Sequence, residues 1–289
     1  VMLGATNCGT ITSLEPTVDG FLDNELLEAC ANIYRADIAG PGGSDPPIRG
    51  VAVLNNVVYC WQDDADQLKL YKATATGWVL VPYYSEVSFT AGTAEYVDGD
   101  TITQGGNTAT VKRAVKESGD WLAGTAAGRL IVDPVAGVLA AGAAAGDGAC
   151  TLSGAPAQIT CGPLSRVQTV VYNFTASTTT RRLYGCDGVN REFEFDGEVY
   201  VPLTTGMGSV RAVAVACHKN HLFYLYNGSL QHSGIGNPYA WTPLLGAGEL
   251  GTGDIGTNLT TVSGSEASAA LMVQCQDSTW VLYGTSAAD

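Results

Sequence analysis

The stretch Arg49-Gly50-Val51-Ala52-Val53-Leu54-Asn55-Asn56-Val57-Val58-Tyr59-Cys60-Trp61 decides the fold. Two apolar runs rich in valine flank a pair of asparagines, which tolerate the positive φ of a tight reversal, so the segment predicts an antiparallel hairpin. Arg211-Ala212-Val213-Ala214-Val215, leading through Lys219-Asn220 to Leu222-Phe223-Tyr224-Leu225-Tyr226, is a second segment of the same kind. Looser copies run from 167–172 to 182–184, and from 270–273 through Asp277-Ser278 to 280–283.

Outward from these hairpins, the dipeptide Leu-Tyr recurs at Leu70-Tyr71, Leu183-Tyr184, Leu225-Tyr226 and Leu282-Tyr283, at spacings of 113, 42 and 57 residues. Setting aside roughly 70 to 77 residues after Val81 brings the first spacing to about 40, the usual size of one four-stranded propeller blade. Gly77-Trp78-Val79-Leu80-Val81-Pro82 matches Gly197-Glu198-Val199-Tyr200-Val201-Pro202, and the final proline of each suits an edge strand, where no ladder donor is needed. Asp196-Gly197 and Asn227-Gly228 predict two further hairpin turns. The expected fold is all-β: a β-propeller of about four-stranded antiparallel blades, with a β-sandwich of similar short strands as the alternative.

Residues 86–162 differ in texture, being rich in Ala, Gly and Thr and lacking the Leu-Tyr unit. Short strand patterns around Ile102, Val111, Ile131 and Cys150, separated by Asp98-Gly99, Gly105-Gly106 and Asp147-Gly148, predict an inserted small β-barrel or sandwich; a low-complexity loop is the alternative. The chain therefore divides into 1–85 (an N-terminal segment and first clear blade), 86–162 (the insert) and 163–289 (further blades, the last incomplete). One short N-terminal helix is predicted over 22–34, where Leu26, Leu27, Cys30, Ile33 and Tyr34 share a face. About five blades fit the remaining length. The chain is expected to be either a fragment of a longer polypeptide or a propeller closed by an N-terminal strand over 3–11.

Composition suits such a fold: 289 residues with 36 Gly and 13 Tyr, 46% hydrophobic and only 15% charged, allow a large core in one or two domains. No apolar run approaches the ~20 residues of a membrane helix. The net charge of −14, from 28 acidic against 14 basic residues, repels a phosphate backbone. Arg181-Arg182 and Lys112-Arg113 are the only adjacent basic pairs and lack interleaved aromatics, so sequence-specific nucleic-acid binding is not expected, although an acidic wall suits a passive DNA channel. Eight scattered cysteines without a Cys-x-x-Cys pair predict separate, mostly buried thiols from a reducing compartment.

A search for chemistry returns no catalytic constellation. Nucleophile-elbow, zinc-protease, phosphate-loop and calcium-loop patterns are missing. Asp63, Asp64 and Asp66 are expected to form a solvated hairpin loop rather than an acid pair, and Asp277-Ser278-Thr279-Trp280 is only an echo of a glycosidase propeller box. The nearest metal candidate is His218-x-x-His221 with His232, but the first two flank a predicted turn. No catalytic, cofactor-binding or metal residues are assigned, no cofactor is expected, and the chain is expected not to be an enzyme.

Several stretches resemble propeller-bearing structural proteins of tailed bacteriophages: 48–61, Leu70-Tyr71-Lys72-Ala73-Thr74-Ala75-Thr76-Gly77-Trp78, Lys219-Asn220-His221-Leu222-Phe223, 231–239 and 282–289. Asp98-Gly99-Asp100-Thr101-Ile102 and 124–130 in the insert are similar to small β-modules of phage virion proteins. The resemblance implies a non-enzymatic virion component of the tail hub or nozzle type, assembled in the bacterial host cytoplasm. Copies of itself would form a homo-oligomeric ring around the DNA path, touching neighbouring tail or connector proteins and no membrane. The alternative is a host-surface (glycan or protein) binding module or a capsid-associated decoration protein, with Tyr83, Tyr84, Tyr239 and Trp241 as contact platforms.

Overall fold

The first hairpin forms where the sequence places it. In the computed structural model, which describes residues 40–43, 46–175, 180–262 and 269–284, β1 (Ile48–Leu54) and β2 (Val57–Asp64) pair antiparallel about Asn55 and Asn56. Both asparagines have positive φ, 50° and 64°, the two-residue reversal whose twist matches the flanking strands. β3 (Gln67–Thr74) and β4 (Gly77–Val81) complete a four-stranded meander in the order β1-β2-β3-β4, here sheet A. Pro82 follows the edge strand β4, as the missing N–H requires.

The next seven strands are β5 (Ser85–Ala94), β6 (Thr101–Gln104), β7 (Asn107–Ser118), β8 (Ala126–Ala136), β9 (Gly142–Gly146), β10 (Ala149–Leu152) and β11 (Ala157–Gln158). They run in the order β10-β9-β6-β7-β8-β5-β11, and β10 pairs back onto β5, so six strands close a barrel. Its interior is filled by Phe89, Tyr96, Ile102, Val111, Leu130 and neighbours, with Trp121 stacked on Phe89. The Ala and Gly residues that suggested a flexible loop serve close packing: a methyl on Gly148 would meet the Tyr96 ring at 2.7 Å.

Sheet C is the meander β12 (Gln168–Tyr172), β13 (Arg182–Cys186), β14 (Phe193–Phe195) and β15 (Tyr200–Pro202). β16 (Ala214–His218), β17 (His221–His232), β18 (Gly248–Val262), β19 (Ala270–Cys275) and β20 (Thr279–Leu282) form the last sheet. The first half of β18 pairs with β17 (sheet D) and its second half with β19 (sheet F). With the 74 residues from Ser85 to Gln158 set aside, the step from Ile48 to Gln168 is 46 residues, equal to the step from Gln168 to Ala214. The repeat is therefore real at the level of whole sheets.

Alternation along each strand sends successive side chains to opposite faces, and the cores follow that rule. Leu54, Tyr59, Trp61, Leu70 and Val81 of sheet A pack on Leu183, Phe193, Phe195 and Val201 of sheet C. The opposite face of sheet C, through Tyr184 and Cys186, packs on Val215, Cys217, Leu222, Tyr224 and Tyr226 of sheet D. Sheet D in turn presents Ala214, Phe223 and Leu225 to Leu259, Leu271 and Val273 of sheet F. Sheets A, C, D and F thus lie in series, and every residue of β14, β15 and β16 is buried.

Three expectations change. Asn227-Gly228 is not a hairpin turn: β17 runs through it, with a register shift between Asn227 and Ser229 and Gly228 at φ 86°. The extra residues of this irregularity lie on β18, where 252–254 stand opposite Gly228 alone; β17 pairs with β16 up to Leu225 and with β18 from Asn227 on, and the reversal occurs earlier, at Lys219 and Asn220, both with positive φ. The Asp196-Gly197 reversal exists but spans four residues, 196–199, between β14 and β15. The Leu-Tyr pairs are not equivalent positions, because Leu70 lies on the third strand of its sheet and Leu183 and Leu225 on the second. The architecture is an all-β chain with a closed six-stranded barrel and several antiparallel sheets. The predicted helix over 22–34, the strand over 3–11, and Cys8 and Cys30 lie outside the described residues.

Packing at the A–C interface leaves no slack around Phe193. Its ring lies 4.8 Å from Tyr200 and 5.6 Å from Trp61, and a methyl on Gly185 would come within 2.2 Å of it. Gly185→Ala is expected to cost about 1–3 kcal/mol through overpacking, and Phe193→Leu in the same chain to recover part of that. Urea unfolding of the two variants checks both.

Candidate functional site

β14 reads Phe193-Glu194-Phe195, a carboxylate in the middle of a wholly buried strand. The two phenylalanines face sheet A, so alternation puts Glu194 on the other face, beside Tyr184 in the register. Its side chain is fully buried, and a buried carboxylate needs partners of opposite charge. Arg113 Nη1, from β7 of the barrel, donates to Glu194 Oε1 at 2.9 Å; Arg182 Nη1 donates to the same oxygen at 2.5 Å, and Tyr239 Oη donates to Oε2 at 2.7 Å. Arg113 also donates to Asp196 through Nη2 and to Asp98 through Nε at 3.0 Å. Burial opposes the Arg113 charge, but Glu194 foremost, then Tyr239, Asp196 and Asp98, outweigh it and hold the guanidinium more firmly protonated than usual.

A second group of the same kind ties β8 to β15, the edge strand of sheet C next to β14. Arg129 donates through Nη1 to Glu86 and to the Pro202 carbonyl at 2.5 Å, and through Nε to Glu117 at 2.7 Å. Arg191 closes the group onto Glu86 at 2.6 Å. Burial alone would raise the Glu86 carboxyl; Arg129 and Arg191 reverse that and hold it below the ordinary range. Two shallow clefts of about 210 and 280 Å³ flank this seam and share Glu86 and Arg191. Both fall below the ~300–1,000 Å³ of small-molecule sites, and each arginine is already engaged by carboxylates. The seam acts as a clamp between barrel and sheets, with little room for a substrate.

Comparison with known proteins adds no name. No protein family matches the chain, and no curated protein does. Among solved structures, a crystal structure of the computationally designed Ika8 protein overlaps it, covering 85% of this chain and 73% of that one at 12% identity, with a TM-score of 0.29. An overlap of that degree neither fixes the fold nor bears on function.

The sequence-flagged residues fall as follows. His221 and His232 come together, ring centroids 5.0 Å apart, with His218 on the same side of Phe223 and all three buried. Among the described residues no group of three or more His, Cys, Asp or Glu could hold a metal ion. Asp63 is a correction: it is buried instead of solvated, accepting from Arg49 Nε at 2.6 Å and lying 3.3 Å from the Leu164 N–H, while Asp64 pairs with Lys69 and Asp66 is exposed. Of the aromatics considered as platforms, Tyr83, Tyr84 and Tyr239 pack against the A–C core and Trp241 stacks near Tyr224 at 5.6 Å. Ser278 Oγ donates to Asp254, so the Asp277–Trp280 run is a capped turn. Lys112 bridges to Asp133 at 3.5 Å and Arg113 is buried, which separates that basic pair. Five of six described cysteines are buried and Cys275 is half-buried.

Glu194 and its partners were missed because they are 81 and 45 residues from Arg113 and Tyr239. The one local signal was a lone charge between two phenylalanines in an apolar strand. Breaking a buried pair leaves an uncompensated charge, so Glu194→Leu is expected to cost about 3–5 kcal/mol, with Arg113→Met added to it recovering a measurable part. Guanidinium unfolding of the single and double variants checks this.

Proposed function

We propose that this chain is a non-enzymatic structural subunit, a virion component of a tailed bacteriophage of the tail hub or nozzle type, with sheets A, C, D and F as blades of a propeller arrangement. The observation that carries this reading is the contrast between the middle and the ends of the stack. Sheets C and D are covered on both faces. On the free face of sheet A, Val51 and Val53 are 59% and 55% exposed and Leu80 is 49% exposed; on the outer face of sheet F, Val281, paired with Met272, is 43% exposed.

These end faces are also unusual in charge. β19, β20 and the β18 segment 256–262 contain no charged residue, in a chain with 42 of them. The row Val51-Cys60-Tyr71-Leu80 across sheet A is uncharged as well; its ends are exposed, while Cys60 and Tyr71 in its middle are buried, the Tyr71 hydroxyl lying against Gly42. Neutral apolar side chains exposed at the ends of the stack suit contact with further protein, and heterologous contacts of this kind generate rings when the rotation closes. Elsewhere the surface is acidic, and Arg49, Arg113, Arg129, Arg182 and Arg191, five of the 14 basic residues, are committed to carboxylates of the same chain. That leaves little to hold a phosphate backbone, which suits a wall past which DNA moves.

Native mass spectrometry is expected to find a multiple of the single-chain mass. Val51→Glu and Val281→Glu each place a carboxylate on an end face and are expected to shift the population toward monomer, while changing stability by no more than about 0.5 kcal/mol. Monomer alone in the unmodified protein, at concentrations up to those of an assembled particle, would contradict the proposal.

A further inference from the structure

The loop of residues 233–247, between β17 and β18, is anchored at its start by a histidine cluster and midway by Tyr239 of the clamp. At its start Ser233 is fully buried. Its N–H donates to the Leu222 carbonyl at 2.9 Å, its Oγ accepts from the Leu222 N–H at 3.1 Å, and its carbonyl faces His221 Nδ1 at 2.6 Å and His232 Nδ1 at 3.0 Å. A carbonyl only accepts, so both Nδ1 atoms carry their proton, and a neutral His232 ring presents a bare Nε2 atom. His232 Nε2 is buried with no partner, and it points at the Gly248 backbone, where an added methyl would lie 2.5 Å away. His218 Nε2, in the same cluster, is likewise buried and unpartnered. Midway along the loop, Tyr239 delivers its hydroxyl to Glu194 and accepts from Arg182 at 3.0 Å.

We propose that this loop is an acid-released strap: a proton taken up on His232 Nε2 places a cation against the Gly248 backbone with no acceptor, frees Ser233, and withdraws Tyr239 from the Glu194 clamp that holds the barrel. On balance the surroundings oppose the charged form. Burial, then the neighbouring His221, makes His232 harder to protonate than a free imidazole, the Ser233 carbonyl opposing them; burial, Lys219 and His221 do the same to His218 against the Gly284 backbone. Glu249, beside Gly248 on β18, accepts from Ser229 Oγ. The sign follows from linkage. The released state takes up its proton near the unperturbed value of about 6.5, whereas the strapped state resists it. The hold is therefore complete above that pH and is lost as pH falls below it.

Hydrogen-exchange mass spectrometry on the full chain at pH 7.5 and 5.0, corrected for intrinsic exchange, tests this. Opening of 233–247 is expected to increase by up to about tenfold per pH unit below 6.5 for each proton taken up, with the barrel strands β7 and β8 loosening against sheet C in parallel. His232→Gln keeps a donor for the Ser233 carbonyl and cannot be protonated, and it is expected to flatten the dependence. Tyr239→Phe, which leaves the histidines untouched, is expected to retain loop opening while removing its effect on β7 and β8. Loop exchange that is equal at the two pH values in the unmodified chain, or that rises as much in His232→Gln, or that rises only together with every strand of the molecule, would overturn the proposal.

Discussion

Everything in this molecule is organised by the burial of sheet C on both faces. A sheet that faces water on one side can alternate apolar and polar residues, but one pressed between two others must be apolar throughout or pair whatever charge it carries. β13 to β15 obey that demand: Leu183, Phe193 and Val201 point to sheet A and Tyr184 and Cys186 to sheet D. Glu194 is the exception, and its neutralisation by two arginines and a tyrosine fixes where the barrel and the 233–247 loop must sit.

That arrangement explains why a charge is kept where a leucine would pack. Replacing a buried ion group by apolar residues is often neutral for stability, so its use here is better understood as specification of orientation. Arg113 and Arg129 come from neighbouring strands of one barrel and engage adjacent strands of the same meander, β14 at Glu194 and β15 at the Pro202 carbonyl. Two directional attachments define an angle where a greasy contact alone would allow sliding. A building part in a larger assembly benefits from that rigidity.

Much of this fold was legible in the sequence wherever a local rule decides the outcome. Asn55-Asn56 and Lys219-Asn220 mark true reversals because both residues of each pair must adopt positive φ. Pro82 and Pro202 mark edges because they lack a donor. Asn227-Gly228 misled for the same physical reason that made it a good turn signal: a glycine at positive φ suits a continuous strand opposite a bulge as well as a hairpin, and only the partner strands β16 and β18 decide between them. Leu-Tyr misled because the pair suits any strand buried on both sides, as at Leu183-Tyr184 and Leu225-Tyr226, and also occurs where the tyrosine is exposed, as at Tyr283. Asp63 and the Glu194 group were invisible because their partners are distant in sequence, and nothing in a strand pattern announces which arginine will cross from the barrel.

The most direct test of the central claim, a series of sheets covered in the middle and unfilled at its ends, is a cryo-electron microscopy reconstruction of the native assembly. The account predicts sheets A, C, D and F in that order, at face-to-face spacings of about 10 Å, with the Val51–Leu80 row and the Met272–Val281 face each covered by further protein. A map in which sheet C has one face in solvent, or in which both end faces stand free, would contradict it.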